Sequence, residues 1–289
     1  MKVKLWGTRG SIPAPGPETT RYGGNTSCVQ ITLDDGTTFV LDAGTGIRTL
    51  GLSMAHVDQP LNILLTHLHL DHIQGLMFFA PAFIPDSEIV IWGPASPEAS
   101  LEDRIARYIS APLAPVEVKE LPCHVRFKEA ETTEWRIGGA SIRAGSVTHR
   151  GPTLGYRIEA DGSSLCYIPD HEPGLGAEIQ DLDDDWISGL GIAKDATLLI
   201  HDCQYTDDEY PNHLGWGHSR LTDALTFAQR ANAERVLLFH HDPLHSDDFL
   251  DALGGRACGQ WEELGGRADQ LELATERREI ELLAGAVAP

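Results

Sequence analysis

The run Leu61-Asn62-Ile63-Leu64-Leu65 leads through Thr66 into His67-Leu68-His69-Leu70-Asp71-His72, and this junction constrains the fold more than any other segment. A near-continuous apolar run of this length predicts a strand covered on both faces. Four ligand-type side chains within six residues then follow the strand's end. His67 and His69, two apart on an extended chain, share one face and can grip one metal. Asp71 and His72 bend towards a second position. Imidazole nitrogen combined with carboxylate oxygen suits Zn²⁺, Mn²⁺ or Fe²⁺ and not a thiolate site.

Five other strand-like runs end the same way. Thr38–Leu41 leads to Asp42, Ser146–Thr148 to His149, and Leu165–Pro169 to Asp170. Leu198–Ile200 leads to His201-Asp202, and Val236–Phe239 to His240-His241-Asp242. Ligands at strand ends can converge on one edge of a sheet, where open α/β folds place their sites. Taken alone, His149 reads equally well as a ligand or as an ordinary strand-end histidine.

Further strands are predicted at Lys2–Trp6, Cys28–Leu33, Glu88–Trp92, Val125–Phe127, Thr133–Ile137, Ser141–Ser146, Thr153–Glu159 and Ser163–Ile168. Helices are predicted from Pro97 to about Ser110, with Ser96 as cap, and at Leu221–Ala231 and Phe249–Leu264. Leu271–Ala274 and Glu279–Leu283 read as a hairpin around Thr275–Arg278, because the second run alternates at period 2. No repeat of fixed period and no linker interrupts the chain. Interspersed strands and helices in both halves predict a layered α/β (α+β) domain on two sheets, spanning 1–289.

The 43 acidic residues outnumber 22 Lys and Arg, for a formal net charge of −21. A protein that grips a long nucleic acid shows a basic face, so the balance favours a small substrate. The five cysteines are scattered without a Cys-x-x-Cys pair, which argues against a disulfide framework and against a thiolate zinc site. No run reaches the roughly 18 apolar residues of a membrane span, and Met1–Gly7 lacks a signal-peptide core. A cytoplasmic protein with no membrane partner is the expectation; its oligomeric state, a homodimer included, stays open.

H-x-H-x-D-H after a buried strand resembles the signature of the metallo-β-lactamase superfamily. Leu41-Asp42-Ala43-Gly44-Thr45-Gly46, Val147-Thr148-His149 with Leu154-Gly155-Tyr156-Arg157, and Tyr167-Ile168-Pro169-Asp170 resemble its ribonuclease Z and phosphodiesterase branch. His201–Thr206, Gly217-His218-Ser219 and Leu237-Leu238-Phe239-His240 continue that series in the family's order. The resemblance implies a four-layer αββα sandwich of two mixed sheets flanked by helices. It also implies two divalent metals, with Zn first and Mn or Fe as alternatives. One would be held by His67, His69 and His149, the other by Asp71, His72 and His240, with Asp170 bridging. His240 matches the family's last ligand, with its neighbour His241 as the alternative; Asp202 competes with Asp170 as the bridge.

Two such metals would activate a water for in-line attack, with Asp71 orienting it as well as binding metal. His218 matches a proton-relay histidine of the branch and would protonate the leaving alkoxide, oriented by Asp202. Arg9, Arg150 and Arg220 are candidate phosphate clamps, and Asn25, Thr26 and Ser27 could line a loop near the site. His171 and Glu172 are candidate supports for the ligands. His56, His124 and His245 carry no motif and are read as structural, and His213 is undecided. The expected function is a phosphodiesterase on a small or cyclic phosphodiester, such as a cyclic nucleotide or ribose cyclic phosphate. The alternatives are a tRNA 3′-processing endoribonuclease and a thioesterase or lactonase of the hydroxyacylglutathione hydrolase type. A non-enzymatic di-iron protein is disfavoured, because those relatives place Glu where this chain has His69.

Overall fold

The computed structural model describes residues 1–54, 59–130 and 134–283. His56 and the first residue of the expected strand Thr133–Ile137 lie outside them. One sheet holds β1 (Lys2–Gly7), β2 (Cys28–Thr32), β3 (Thr38–Leu41), β4 (Leu61–Leu64), β5 (Glu88–Pro94), β6 (His124–Ala130) and β14 (Glu279–Glu281), in the order β14-β1-β2-β3-β4-β5-β6. The other holds β7 (Glu134–Ile137), β8 (Ala140–Ser146), β9 (Leu154–Ala160), β10 (Ser163–Ile168), β11 (Leu198–Asp202), β12 (Val236–Phe239) and β13 (Leu271–Leu273), in the order β13-β12-β11-β10-β9-β8-β7.

Both sheets are mixed in the same way. Antiparallel pairings run from β14 through β3 and from β7 through β10, and parallel ones from β3 to β6 and from β10 to β13. The central strands β3 and β12 are apolar on both faces. In β3, Phe39 and Leu41 enter the core between the sheets while Val40 faces the outer helical layer. In β12, Leu237 and Phe239 face inward and Val236 and Leu238 outward. This alternation explains why such strands read as unbroken hydrophobic runs.

Helices α1 (Gly46–Ser53), α2 (Leu70–Ile73) and α3 (Leu101–Tyr108) cover the outer face of the first sheet through Ile47, Leu50, Ile73 and Ile105. Helices α4 (Leu190–Ala193), α5 (Leu221–Arg230) and α6 (Asp247–Glu263) cover the second through Leu190, Leu225, Phe227 and Leu253. The expected αββα sandwich is therefore present. No helix of the described residues is long and apolar enough to cross a membrane.

Two expectations need correction. The helix expected from Pro97 begins only at Leu101. Ser100 caps it by accepting from the Asp103 amide at 3.1 Å, while the Ser96 hydroxyl accepts from Glu98 within the preceding turn. The C-terminal strands exist but form no hairpin. β13 pairs in parallel with β12, and β14 pairs antiparallel with β1, so the turn between them carries the chain from one sheet to the other. Alternation identified Ile280 as buried between exposed Glu279 and Glu281, but alternation does not name the partner strand.

Candidate metal centre

Every strand-end group named above lies at the same edge of the sandwich, at the exits of β3, β4, β8, β10, β11 and β12. At two of these exits a non-glycine residue takes a left-handed backbone: Asp42 (φ 57°) and His240 (φ 62°). Such conformations are strained and recur at functional sites. The turn swings each side chain inward across the sheet edge.

Three groups of side chains among the described residues could each hold a metal ion: His67, His69, His149 and Asp170; Asp71, His72, Asp170 and His240; and, beside them, the smaller set Asp202, His218 and His240. Asp170 belongs to the first two. Its Oδ2 lies 3.7 Å from His67 Nε2 and 3.6 Å from His149 Nε2. Its Oδ1 lies 3.0 Å from His72 Nε2 and 3.3 Å from His240 Nε2. The second group closes with Asp71 Oδ2 at 3.3 Å from both His72 Nε2 and His240 Nε2. His69 turns its Nδ1 to His149 Nε2 at 3.2 Å. A cation about 2.0–2.1 Å from tetrahedral ligands separates them by about 3.3 Å, which matches these spacings.

The opposite nitrogen of four rings is held by protein. Thr66 Oγ1 meets His67 Nδ1 at 3.0 Å, the Gly217 carbonyl meets His149 Nδ1 at 2.6 Å, Asp42 Oδ2 meets His72 Nδ1 at 2.8 Å, and Gln204 Oε1 meets His240 Nδ1 at 2.9 Å. Each contact fixes a ring and aims its Nε2 into the shared space. The Nε2 atoms of His67 and His72 and Oδ1 of Asp170 are buried with no hydrogen-bond partner. Orphaned buried acceptors converging on one point are what a divalent cation satisfies, so the donor set fits the expected ions.

Electrostatics agree in the first group; in the second, burial opposes the charged form of His72, but Asp170, Asp71 and Asp42 outweigh it and raise that ring above its ordinary value. Burial, aided by neighbouring imidazoles, holds His67 well below its ordinary value, and burial lowers His69 and His149 too, which keeps these rings in the neutral form that ligates. Burial pushes Asp170 up, but His240, His72 and His67 outweigh it and hold the carboxylate ionised.

A match to the Beta-lactamase superfamily domain covers residues 37–241, from the start of β3 past His240. The chain belongs to the metallo-β-lactamase superfamily. It is similar to a ribonuclease Z of Mycolicibacterium paratuberculosis, 28% identical, with 98% of each chain covered. Among solved structures it resembles the metallo-β-lactamase fold protein YhfI of Bacillus subtilis (TM-score 0.68, 18% identity, 97% and 98% covered). It also resembles a diphosphatase of the PhnP family (TM-score 0.67, 17% identity, 97% of each covered). The superfamily's hydrolases therefore provide the frame for this site.

Within that frame, His241 points away from the site. Its Nε2 meets the Ala274 carbonyl at 2.7 Å, its ring lies edge-on to Tyr22, and burial pushes it down to about 3. Asp202 sits beside the cage and not between its halves: Oδ2 meets His218 Nδ1 at 2.7 Å and accepts from the His171 amide at 2.9 Å, and Oδ1 accepts from the Gln204 amide. The His218 ring lies 4.9 Å from those of both His149 and His240. Burial lowers His218 and raises Asp202, disfavouring the charged form of each.

The arginines divide. Arg9 is fully buried, its guanidinium bonded to the carbonyls of Gly23, Asp242 and His245, which removes it from any substrate. Arg220 is committed to Glu178 and Asp223. Only Arg150 of the three opens onto the cleft beside the cage. Asn25 binds Glu276, and Thr26 and Thr45 exchange hydrogen bonds, so that loop serves structure. His245 pairs with Glu209, His213 stacks on Tyr205, and His124 is exposed at 71%.

Thr66, Tyr167 and Gln204, to which the sequence assigns no role, and Asp42, read there only as a strand-end carboxylate, hold the side chains of the two groups in place. Asp42 also accepts from Thr66 and from the Tyr167 hydroxyl at 3.0 Å. His171 bonds His201 at 2.9 Å behind the cage. Glu172 ties down the loop bearing His218: it accepts from Tyr210, from the Gly215 amide at 3.0 Å and from the Gly217 amide at 2.8 Å. Gly217 itself has φ 92°, and an added Cβ would lie 2.4 Å from His149 Nδ1. Gly217→Ala is therefore expected to displace His149 and weaken metal binding about 10- to 100-fold, read by titration with a competing chelator.

Proposed function

We propose that this chain, one domain over 1–289, is a dinuclear metal-dependent phosphodiesterase acting on a small or cyclic phosphodiester, such as a cyclic nucleotide or ribose cyclic phosphate. The observation that carries this reading is the His218–Asp202 pair beside the cage. An alkoxide leaving a phosphodiester needs a proton, and Asp202 holds Nδ1 so that Nε2 is free to deliver one. A thiolate leaves without help, so a thioesterase has no use for the pair.

Divalent ions held by the two groups sharing Asp170, zinc foremost, would stabilise phosphoryl charge and activate water. Asp71 is positioned for a second task, since the Ser11 amide donates to its Oδ2 at 2.7 Å and fixes the carboxylate's direction. The protein loaded with Zn, Mn or Fe is expected to hydrolyse bis(p-nitrophenyl) phosphate; no turnover with any of the three would overturn the proposal.

The ribonuclease Z relative favours tRNA 3′-end processing as a second reading. Against it stands the acidic surface. Between Asp170 and Ala196 the chain carries Asp181, Asp183, Asp184 and Asp185, and Asp184 already pairs with Lys194 and Arg230. Tight, salt-sensitive tRNA binding in a gel shift would reverse the order of the two readings.

A further inference from the structure

A cleft of about 400 Å³ opens directly on the His67–His69 side of the cage, with Pro97, Glu98, Arg150 and Pro152 along its walls. Its volume falls within the range of small-ligand sites. The charges inside it are unusual for so acidic a surface. Arg104 is used up on the Pro94 and Ser100 carbonyls and lies 3.8 Å from Glu129. Among the described residues, neither Glu98 nor Arg150 forms an ion pair, with each other or with any other side chain. Arg150 is instead steadied by the Gly215 carbonyl at 3.2 Å, in the loop that leads to His218. An exposed Glu98, coupled to Arg104 only from beyond ion-pair distance, and an exposed Arg150 therefore line one cavity together with Pro97 and Pro152.

We infer that this cleft is the subsite for the ribose-bearing side of the substrate, with Glu98 accepting a hydrogen bond from the 2′-hydroxyl that a 3′,5′-cyclic nucleotide leaves free and Arg150 contacting the phosphate. The inference rests on the phosphodiesterase reading and deepens it. A carboxylate is the group that reads a ribose hydroxyl, because it accepts from donors only and gains from their alignment. A guanidinium matches phosphate oxygens in its fork geometry. Pro97 and Pro152 offer rigid apolar faces to the sugar. The Glu98 amide donates to Ser96 Oγ at 3.3 Å, which fixes the backbone turn that carries this residue on the cleft wall.

Calorimetric titration of the metal-loaded protein with AMP and with 2′-deoxy-AMP tests this without turnover. The wild type should prefer AMP on the order of tenfold, the effect of one hydrogen bond to a charged group. Glu98→Gln should reduce that preference to below about twofold, whereas Arg150→Ala should weaken both nucleotides alike, by roughly tenfold. Both side chains are exposed, so thermal unfolding of either variant should match the parent. An unchanged ribose preference in Glu98→Gln, no preference in the wild type, or full nucleotide affinity in Arg150→Ala overturns the assignment. Bis(p-nitrophenyl) phosphate has no sugar. Its hydrolysis without ribose preference therefore sinks only the subsite, and ribose preference without its hydrolysis sinks only the phosphodiesterase reading.

Discussion

Asp170→Asn is expected to empty both halves of the cage, whereas His69→Ala should empty one. Asp170 alone faces both groups, with Oδ2 towards His67 and His149 and Oδ1 towards His72 and His240. Asparagine keeps the volume but replaces one anionic oxygen with an amide that donates, directed at imidazole nitrogens that must also accept a metal. Metal bound per chain should fall from about two ions to below one, and phosphodiester turnover by on the order of 10³-fold or more. His69 serves only the first group, so its alanine variant should keep about one ion. Elemental analysis of the purified variants reads the difference. Equal metal loss in the two variants would mean that the halves bind cooperatively or that Asp170 does not bridge.

That asymmetry was only partly visible before the structure. The six strand exits could be found because a buried parallel strand leaves a distinctive apolar run, and a polar residue at its end stands out. The element that failed to show was the partner of each group. Asp42 stood at one exit without a role, since His72 lies 30 positions away and meets it only through the parallel pairing of β3 with β4. Gln204 and Gly217 are equally silent, because a side-chain amide or a backbone carbonyl carries no sequence signal for orienting a ring. Arg9 misled for the converse reason: adjacency to Gly10 and Ser11 resembles a phosphate loop, but only packing shows its guanidinium enclosed by carbonyls. The shared pairing pattern of the two sheets was also invisible, as no residue repeat accompanies it. Strand pairing is a backbone property, and unlike sequences satisfy it provided their faces are apolar.

His218→Ala is expected to separate chemistry from metal binding. The imidazole belongs to neither group that shares Asp170, and in the smaller set it forms with Asp202 and His240 its Nδ1 is already engaged by Asp202. Metal content should therefore stay near the wild-type level. Removing a general acid typically costs 10²- to 10⁴-fold in rate, and the loss should depend on the leaving group. A substrate that expels an alkoxide, such as a ribose cyclic phosphate, should show most of that loss in kcat. Bis(p-nitrophenyl) phosphate expels a phenolate that is stable at neutral pH and should lose far less. Asp202→Asn should follow the same pattern more weakly, because the ring remains but its orientation and tautomer are no longer enforced. Metal loss in His218→Ala, or equal loss on both substrates, would remove the acid role. The case for a phosphodiesterase over a thioesterase would fall with it, since the same fold and cage serve both chemistries and the leaving-group proton is what divides them.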